Sequence, residues 1–248
     1  MADMPTISLD HHRDPLEQLV EQASILLAET TFAFDDRHRT APRFAVDLAA
    51  QPAPEAQYPD LGLTYRAHFL GTFSSLDNSL LWGWENVNGF PPAAIEIAHN
   101  LRIFAEHANI PELSTANVPV AEETTAARIV SAAVRITGNG TLRRVPTQHG
   151  VAYFLLQGFD LGPSRVVAVQ RAIGDALASG ALRNHVEALE AYVDMRADVT
   201  ARGSAKGLVL ACSDGELEIE LDEQGRISLM RFTIDERSKG ALRGDDGQ

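Results

Sequence analysis

The alternation between residues 63 and 73 limits the fold of this chain more than any other stretch. Leu63, Tyr65, Ala67, Phe69 and Phe73 share one face of an extended strand; Thr64, Arg66, His68 and Thr72 share the other, interrupted by Leu70. A polar connection at 74–78 follows. Next comes Ser79-Leu80-Leu81-Trp82-Gly83-Trp84-Glu85-Asn86, which holds the chain's two tryptophans. Read as a strand, this stretch puts Leu80, Trp82, Trp84 and Asn86 on one face. The two segments predict an antiparallel hairpin whose connection is longer than the two-residue optimum. A sheet with so apolar a face needs a second layer to cover it.

The flanking sequence supplies that layer. Asp14-Pro15 reads as an N-cap with proline at the first helical position, and Leu16, Leu19, Val20, Ala23, Leu26, Leu27 and Thr30 repeat at three- and four-residue spacing. A helix is expected to about Arg37. Residues 43–48 alternate as a short strand, and 50–62 form a proline-rich loop. Helices are expected at 92–107 and 121–136, the second stopped by Gly138-Asn139-Gly140, with a buried strand at 151–157. Beyond Gly162-Pro163-Ser164, helices at 164–178 and 182–201 precede three strands at 206–212, 216–221 and 226–234. Asp214-Gly215 and Gln224-Gly225 mark the turns between those strands. The pattern predicts an α+β protein, antiparallel sheets packed against several helices. An N-terminal region of 13–160 is expected to precede a C-terminal helix pair with a three-stranded sheet at 163–235.

Composition narrows the partners. The formal net charge of −13 lacks the basic footprint expected of nucleic-acid binding, so no nucleic-acid partner is predicted. No apolar run approaches the roughly 18 residues of a spanning helix, so no membrane partner is predicted either. A single cysteine, Cys212, excludes an internal disulfide and a cysteine-rich zinc site. The first residues lack a basic region followed by an apolar core, which points to a cytoplasmic protein.

The segments after the hairpin carry a resemblance. The order Leu81-Trp82-x-Trp84-x-Asn86, a proline-containing turn, a helix with Leu101-Arg102, an alanine-rich helix, then Arg144-x-Pro146-x-x-x-Gly150-x-x-Tyr153-Phe154 resembles a bacterial family of domains of unknown function. That family is marked by a Leu-Trp-x-Trp-x-Asn core. The likeness covers about residues 15–157; the region 164–235 lies outside it. It departs from the family at Thr141-Leu142-Arg143, where aromatic residues are usual. The resemblance implies a shared fold. It carries over no activity and no catalytic residues.

Candidate chemistry is sparse. There is no Gly-x-Gly-x-x-Gly, no Walker loop, no His-Glu-x-x-His and no Gly-x-Ser-x-Gly. The sequence therefore predicts no cofactor and no metal. Trp82 and Trp84 would line a pocket with Asn86 as its polar handle, or else fill the core. Arg66 and His68 share the polar face of the first hairpin strand and suit anion binding or proton transfer if that face lines a cleft. Arg143-Arg144 with Gln148-His149-Gly150 forms a locally basic loop able to accept a phosphate or carboxylate. Cys212 has acidic neighbours in Asp214 and Glu216 and reads as an inert thiol. The expected function is a non-enzymatic module binding a small molecule or a protein near the tryptophans. The alternative is an enzyme acting on a small anionic substrate through Arg66, His68 and Arg144.

Overall fold

A computed structural model describes residues 7–40, 43–138 and 140–235. The chain forms an α+β protein with a seven-stranded and a four-stranded sheet, both antiparallel, among the described residues. It divides into two units: one comprises 1–23 and 30–160, the other 24–29 and 161–248.

In the first unit, helix α1 (Pro15–His38) starts as expected, with the Asp14 carboxylate accepting from the Glu17 N–H at 3.0 Å and proline at the first position. Short strands β1 (Ala45–Asp47) and β2 (Glu55–Tyr58) lead into β3 (Leu63–Ser74), the long alternating strand. The hairpin partner β4 (Ser79–Trp82) pairs with it as Ser74↔Ser79 and Gly71↔Trp82. The strand stops there. Gly83–Glu85 turn into a short 3-10 helix, and Asn86 closes it in the left-handed conformation at φ 52°. Trp82 and Trp84 therefore do not share a strand face, contrary to the period-two reading of 79–86.

The physical reason is close backbone approach. A Cβ at Gly83 would meet the Phe69 carbonyl oxygen at 2.8 Å and the Phe69 ring at 2.9 Å. A Cβ at Gly71 would lie 2.6 Å from the Leu81 carbonyl oxygen. Two glycines let β4 and its turn lie against β3 more tightly than any other residue allows.

Helix α2 (Pro92–Ala108), the single turn α3 (Pro111–Ser114), strand β5 (Asn117–Pro119) and helix α4 (Glu123–Thr137) follow. The stretch between the two expected helices thus contains a helical turn and an edge strand. Gly138, at φ 68°, caps α4 as anticipated. The segment read as a basic loop is instead strand β6 (Thr141–Thr147), which pairs with β7 (Gly150–Gln157). Its mixed polarity, with one side half-exposed, conceals the alternation. β7 in turn pairs with β3 along Arg66↔Gln157 to Ser74↔Gly150. The core on one sheet face holds Phe34, Tyr58, Tyr65, Phe69 and Phe154.

The second unit contains α5 (Val166–Ala178) and α6 (His185–Met195), then β8 (Thr200–Ser204), β9 (Gly207–Cys212), β10 (Gly215–Leu221) and β11 (Ile227–Ile234) in the order β11-β10-β9-β8. The helix expected to run to 201 ends six residues early, and a fourth strand takes its place. Asp198 decides this end: its carboxylate accepts from the Ser164 N–H at 2.6 Å and pairs with Arg196 at 2.8 Å. The first turn uses Ser213-Asp214 rather than Asp214-Gly215, because Cys212 pairs with Gly215 and the Asp214 carboxylate accepts from the Val166 N–H at the start of α5.

Three polar side chains in this unit, Glu29, Tyr192 and Arg196, satisfy one another. Glu29, 4% exposed, accepts from the Tyr192 hydroxyl at 2.8 Å and from Arg196 Nε at 3.3 Å; Arg196 also donates to the Gly162 carbonyl at 2.9 Å. Burial and the adjacent Glu29 carboxylate raise the Tyr192 pKa far above its usual value. Half-buried Cys212 is pushed up to about 11, by burial first and then by Asp214, which keeps the thiol protonated at neutral pH.

Two stability outcomes are expected. Gly71→Ala forces the Leu81 backbone away and lowers unfolding free energy in urea by about 1–3 kcal/mol. Arg196→Met leaves Glu29 buried without its cation and costs about 3–5 kcal/mol in the same assay. Wild-type midpoints in either variant would contradict these contacts.

Candidate functional site

The side chains with the most convergent chemistry gather where the C-terminal end of α1 meets β2, β3 and β6. Phe34, Asp35, Arg37 and His38 come from the last turns of α1, and Arg39 follows it. Tyr58 ends β2, Tyr65 lies on β3, and Arg143 lies on β6 opposite Phe154. His38 stacks on Phe34 at 3.9 Å between ring centroids and lies 4.3 Å from Tyr58; Phe44 lies 4.9 Å from Tyr58. The Arg143 guanidinium covers the Phe34 ring at 4.9 Å, and Arg37 covers Phe159 at 4.7 Å. A cleft of about 310 Å³ opens here, lined by Asp35, His38, Arg39, Phe44, Tyr58, Arg143 and Arg144.

The charge state of His38 follows from its partners. Nδ1 lies 2.6 Å from the Phe34 carbonyl, which can only accept, so Nδ1 carries the hydrogen. Nε2 then accepts from the Tyr65 hydroxyl at 3.0 Å. Burial lowers the His38 pKa, and the nearby Arg143 and Arg37 charges lower it further against the Phe34 carbonyl. Burial raises Tyr58 and Tyr65, each opposed by an arginine, Arg143 for the first and Arg37 for the second. The cleft floor is thus neutral and aromatic, and the rim carries three guanidinium groups, of which Arg39 pairs with Asp36. Arg143 pairs with Asp35 at 2.7 Å, and Arg144 pairs with Glu123, which also accepts from the Tyr153 hydroxyl at 2.6 Å.

The residues singled out from sequence fall in three places. Trp82 is 1% exposed, and its Nε1 donates to the Glu112 carbonyl at 2.8 Å, which holds α3 against β4. Trp84 sits in the 3-10 turn under the Arg102 guanidinium at 4.5 Å, and its buried Nε1 has no hydrogen-bond partner among the described residues. Asn86 brackets Phe90, accepting from its N–H at 2.7 Å and donating to its carbonyl at 3.0 Å. The cavity beside Trp82 and Asn86 measures about 20 Å³, room for a single water. Arg66 pairs with Glu96 of α2 at 2.9 Å. His68 is fully buried rather than solvated, with Nε2 3.1 Å from Gln157 Oε1. Burial, then Arg66, lowers its pKa. Only Arg144 of these six lines the arginine cleft.

Sequence reasoning passed over His38, Tyr58 and Tyr65. Three separated segments deliver them, so no spacing announces the site. A larger cleft of about 780 Å³ lies between residues 7–15 and the end of α2, and its Arg13 is turned to Glu21. Its lining does not converge on a common chemistry as the arginine cleft does. No group of three or more His, Cys, Asp or Glu among the described residues is placed to hold a metal ion, and no helix among them is long and apolar enough to cross a membrane.

A family of unknown function, DUF6882, matches residues 17–159. The chain belongs to this family. Every residue lining the arginine cleft falls inside the span shared with DUF6882, whereas α5, α6 and β8–β11 fall outside it. No curated protein and no solved structure matches the chain.

The two buried imidazoles set a pH dependence. Their native pKa values lie below the ordinary 6.5, so between that value and the lowered ones the unfolded chain binds more protons than the native one. Stability is full above about pH 6.5 and falls as pH drops toward the native values. The urea midpoint is expected to decline from pH 7.5 to 5.5 in the wild type, and the slope to flatten in a His38→Gln, His68→Gln variant. An unchanged slope would place the acid sensitivity elsewhere.

Proposed function

We propose that this DUF6882 protein is a non-enzymatic binding module for a small anionic ligand, held in the cleft between the end of α1 and β6. The observation that carries this reading is the charge of the lining. Three arginines and one carboxylate face a cleft floored by Tyr58, His38 and Phe44, in a chain whose formal net charge is −13. Each guanidinium is paired with a carboxylate, Arg39 with Asp36, Arg143 with Asp35 and Arg144 with Glu123, and each keeps N–H donors beyond those the pair uses. The aromatic floor suits a ligand that also has an apolar or planar part.

Binding is favoured over catalysis by the state of His38. Both of its ring nitrogens are already engaged, by the Phe34 carbonyl and the Tyr65 hydroxyl, so it is poorly placed to exchange a proton with a substrate. The competing reading, an enzyme using Arg66, His68 and Arg144, has less support: Arg144 lines the arginine cleft, and neither Arg66 nor His68 does. In this reading the tryptophan turn is scaffold for the sheet, and Arg144 is a rim contact.

A thermal-shift titration tests the reading. Citrate and pyrophosphate are expected to raise Tm beyond the effect of sodium chloride at matched ionic strength, since a ligand at 100 times its Kd adds about 2.7 kcal/mol to the folded state. An Arg39→Gln, Arg144→Gln variant alters two rim cations and should lose the shift while keeping its ligand-free Tm. No shift beyond sodium chloride, or an equal shift in the variant, would overturn it.

A further inference from the structure

The four-stranded sheet of the second unit ends in an edge unlike the others. Natural sheets protect their edges by shortness, charge, proline or cover. β1 and β5, edges of the first sheet, are three residues long, and its third edge, β6, carries Arg143, Arg144 and Pro146. β8, the other edge of the second sheet, has five residues and includes Arg202 and Gly203. β11 has eight: Ile-Ser-Leu-Met-Arg-Phe-Thr-Ile, without proline, glycine or an acid. Among the described residues it pairs only with β10.

Its side chains add to the exposure. Phe232 and Met230 lie opposite buried Leu217 and Ile219, so they continue the apolar face of the sheet to its rim. Phe232 is 44% exposed, and Val167 on α5 and Leu229 are exposed as well. We infer that β11 is the contact between two copies of this chain, which join their four-stranded sheets antiparallel, edge to edge, about a two-fold axis.

The ladder indicates the register. The Asp235 N–H donates to the Asp214 carbonyl, in step with the Gly215↔Ile234 register. In an antiparallel ladder, successive residues point their backbone groups alternately to one neighbour and then the other. Thr233, Arg231 and Leu229 therefore bond to β10, while Ile234, Phe232 and Met230 present their N–H and C=O groups to the free edge; the bulge opposite Glu220 ends this alternation at Ser228, and the Ile227 N–H beyond it donates to His185 Nδ1 at 2.8 Å. A two-fold axis normal to the sheet pairs residues whose numbers sum to an even value. Centred on Phe232, it sets Phe232 against Phe232 and Met230 against Ile234 of the second copy, with about six backbone hydrogen bonds across the seam. Centring on Arg231 would oppose two guanidinium groups, which is unfavourable.

Charge favours a second copy as the occupant. On the outer face, Glu218 lies opposite Arg231 and Glu220 opposite Leu229, and Arg231 pairs with Glu220. Across the proposed seam the rows read Glu218, Arg231, then Thr233 and Glu216 of the second copy. Both arginines thus stand between the carboxylate rows of the two copies. Elsewhere, chains of net charge −13 repel one another, whereas this edge carries no acid.

Sedimentation equilibrium of the full chain at micromolar concentration is expected to give twice the 26.9 kDa monomer mass. Met230→Pro removes an N–H directed at the seam and spares the ladder to β10, as edge strands tolerate; it should sediment as a folded monomer. Phe232→Lys provides a second variant, at an exposed side chain on the two-fold axis, and should weaken the dimer. Hydrogen exchange on the wild type is independent of any variant: the amides of Met230, Phe232 and Ile234 should be protected along with those of Leu229, Arg231 and Thr233. A wild-type monomer, a dimer that survives both substitutions, or rapid exchange at the three outward amides would overturn the inference. So would pairing of β11 with a strand of another protein while the chain alone stays monomeric.

Discussion

The first unit depends on the close contact of β4 with β3. β3 is bonded along one edge to β7 and along the other to β2 and then β4, so errors in its placement would propagate to most of the first sheet. Gly71 and Gly83 make that contact possible, because at both positions a Cβ would fall within 3 Å of backbone oxygen. Once β4 is seated, Trp82 is carried into the core and its indole N–H reaches the Glu112 carbonyl. A large apolar side chain with one satisfied donor then ties α3 to the hairpin. The tryptophan turn is a device for holding layers together.

The same sheet creates the arginine cleft on a different principle. β3 and β6 both flank β7, and the end of α1 packs on the face that carries Phe154 and Tyr65. Helix termini expose carbonyl groups that favour cations, and Arg37 and His38 occupy that last turn. Burial acts against charge on the imidazole, so the cation density falls to arginine, which keeps its proton. Neutral histidine, phenols and guanidinium groups thereby coexist within one small recess. In the second unit, a buried carboxylate is handled the other way, by giving Glu29 both a hydroxyl and a guanidinium donor.

How much was legible varied with the kind of signal. The alternation of 63–73, the proline-led start of α1 and the glycine stop of α4 are local, and each corresponds to an observed element. The order of motifs from Leu81 to Phe154 also pointed to a family of unknown function, and the match to DUF6882 covers nearly the same residues. Failures came where tertiary contact overrides period. Trp84 left the strand because Gly83 turns against Phe69. β6 was read as a loop because its arginines face two different environments. The last helix stopped at Met195 because Asp198 is held by its neighbour Arg196 and by Ser164, 34 residues away in the chain.

The sequence by itself determined the α+β class, the antiparallel hairpin at the centre of the first sheet and most helix starts, because these rest on side-chain period and on caps within a few residues. The tertiary structure alone decided that Trp82 is core, that His68 is buried and that His38, Tyr58 and Arg143 surround one cleft. Burial and convergence depend on which distant segments come to lie together, and in this chain those segments stand up to about a hundred residues apart.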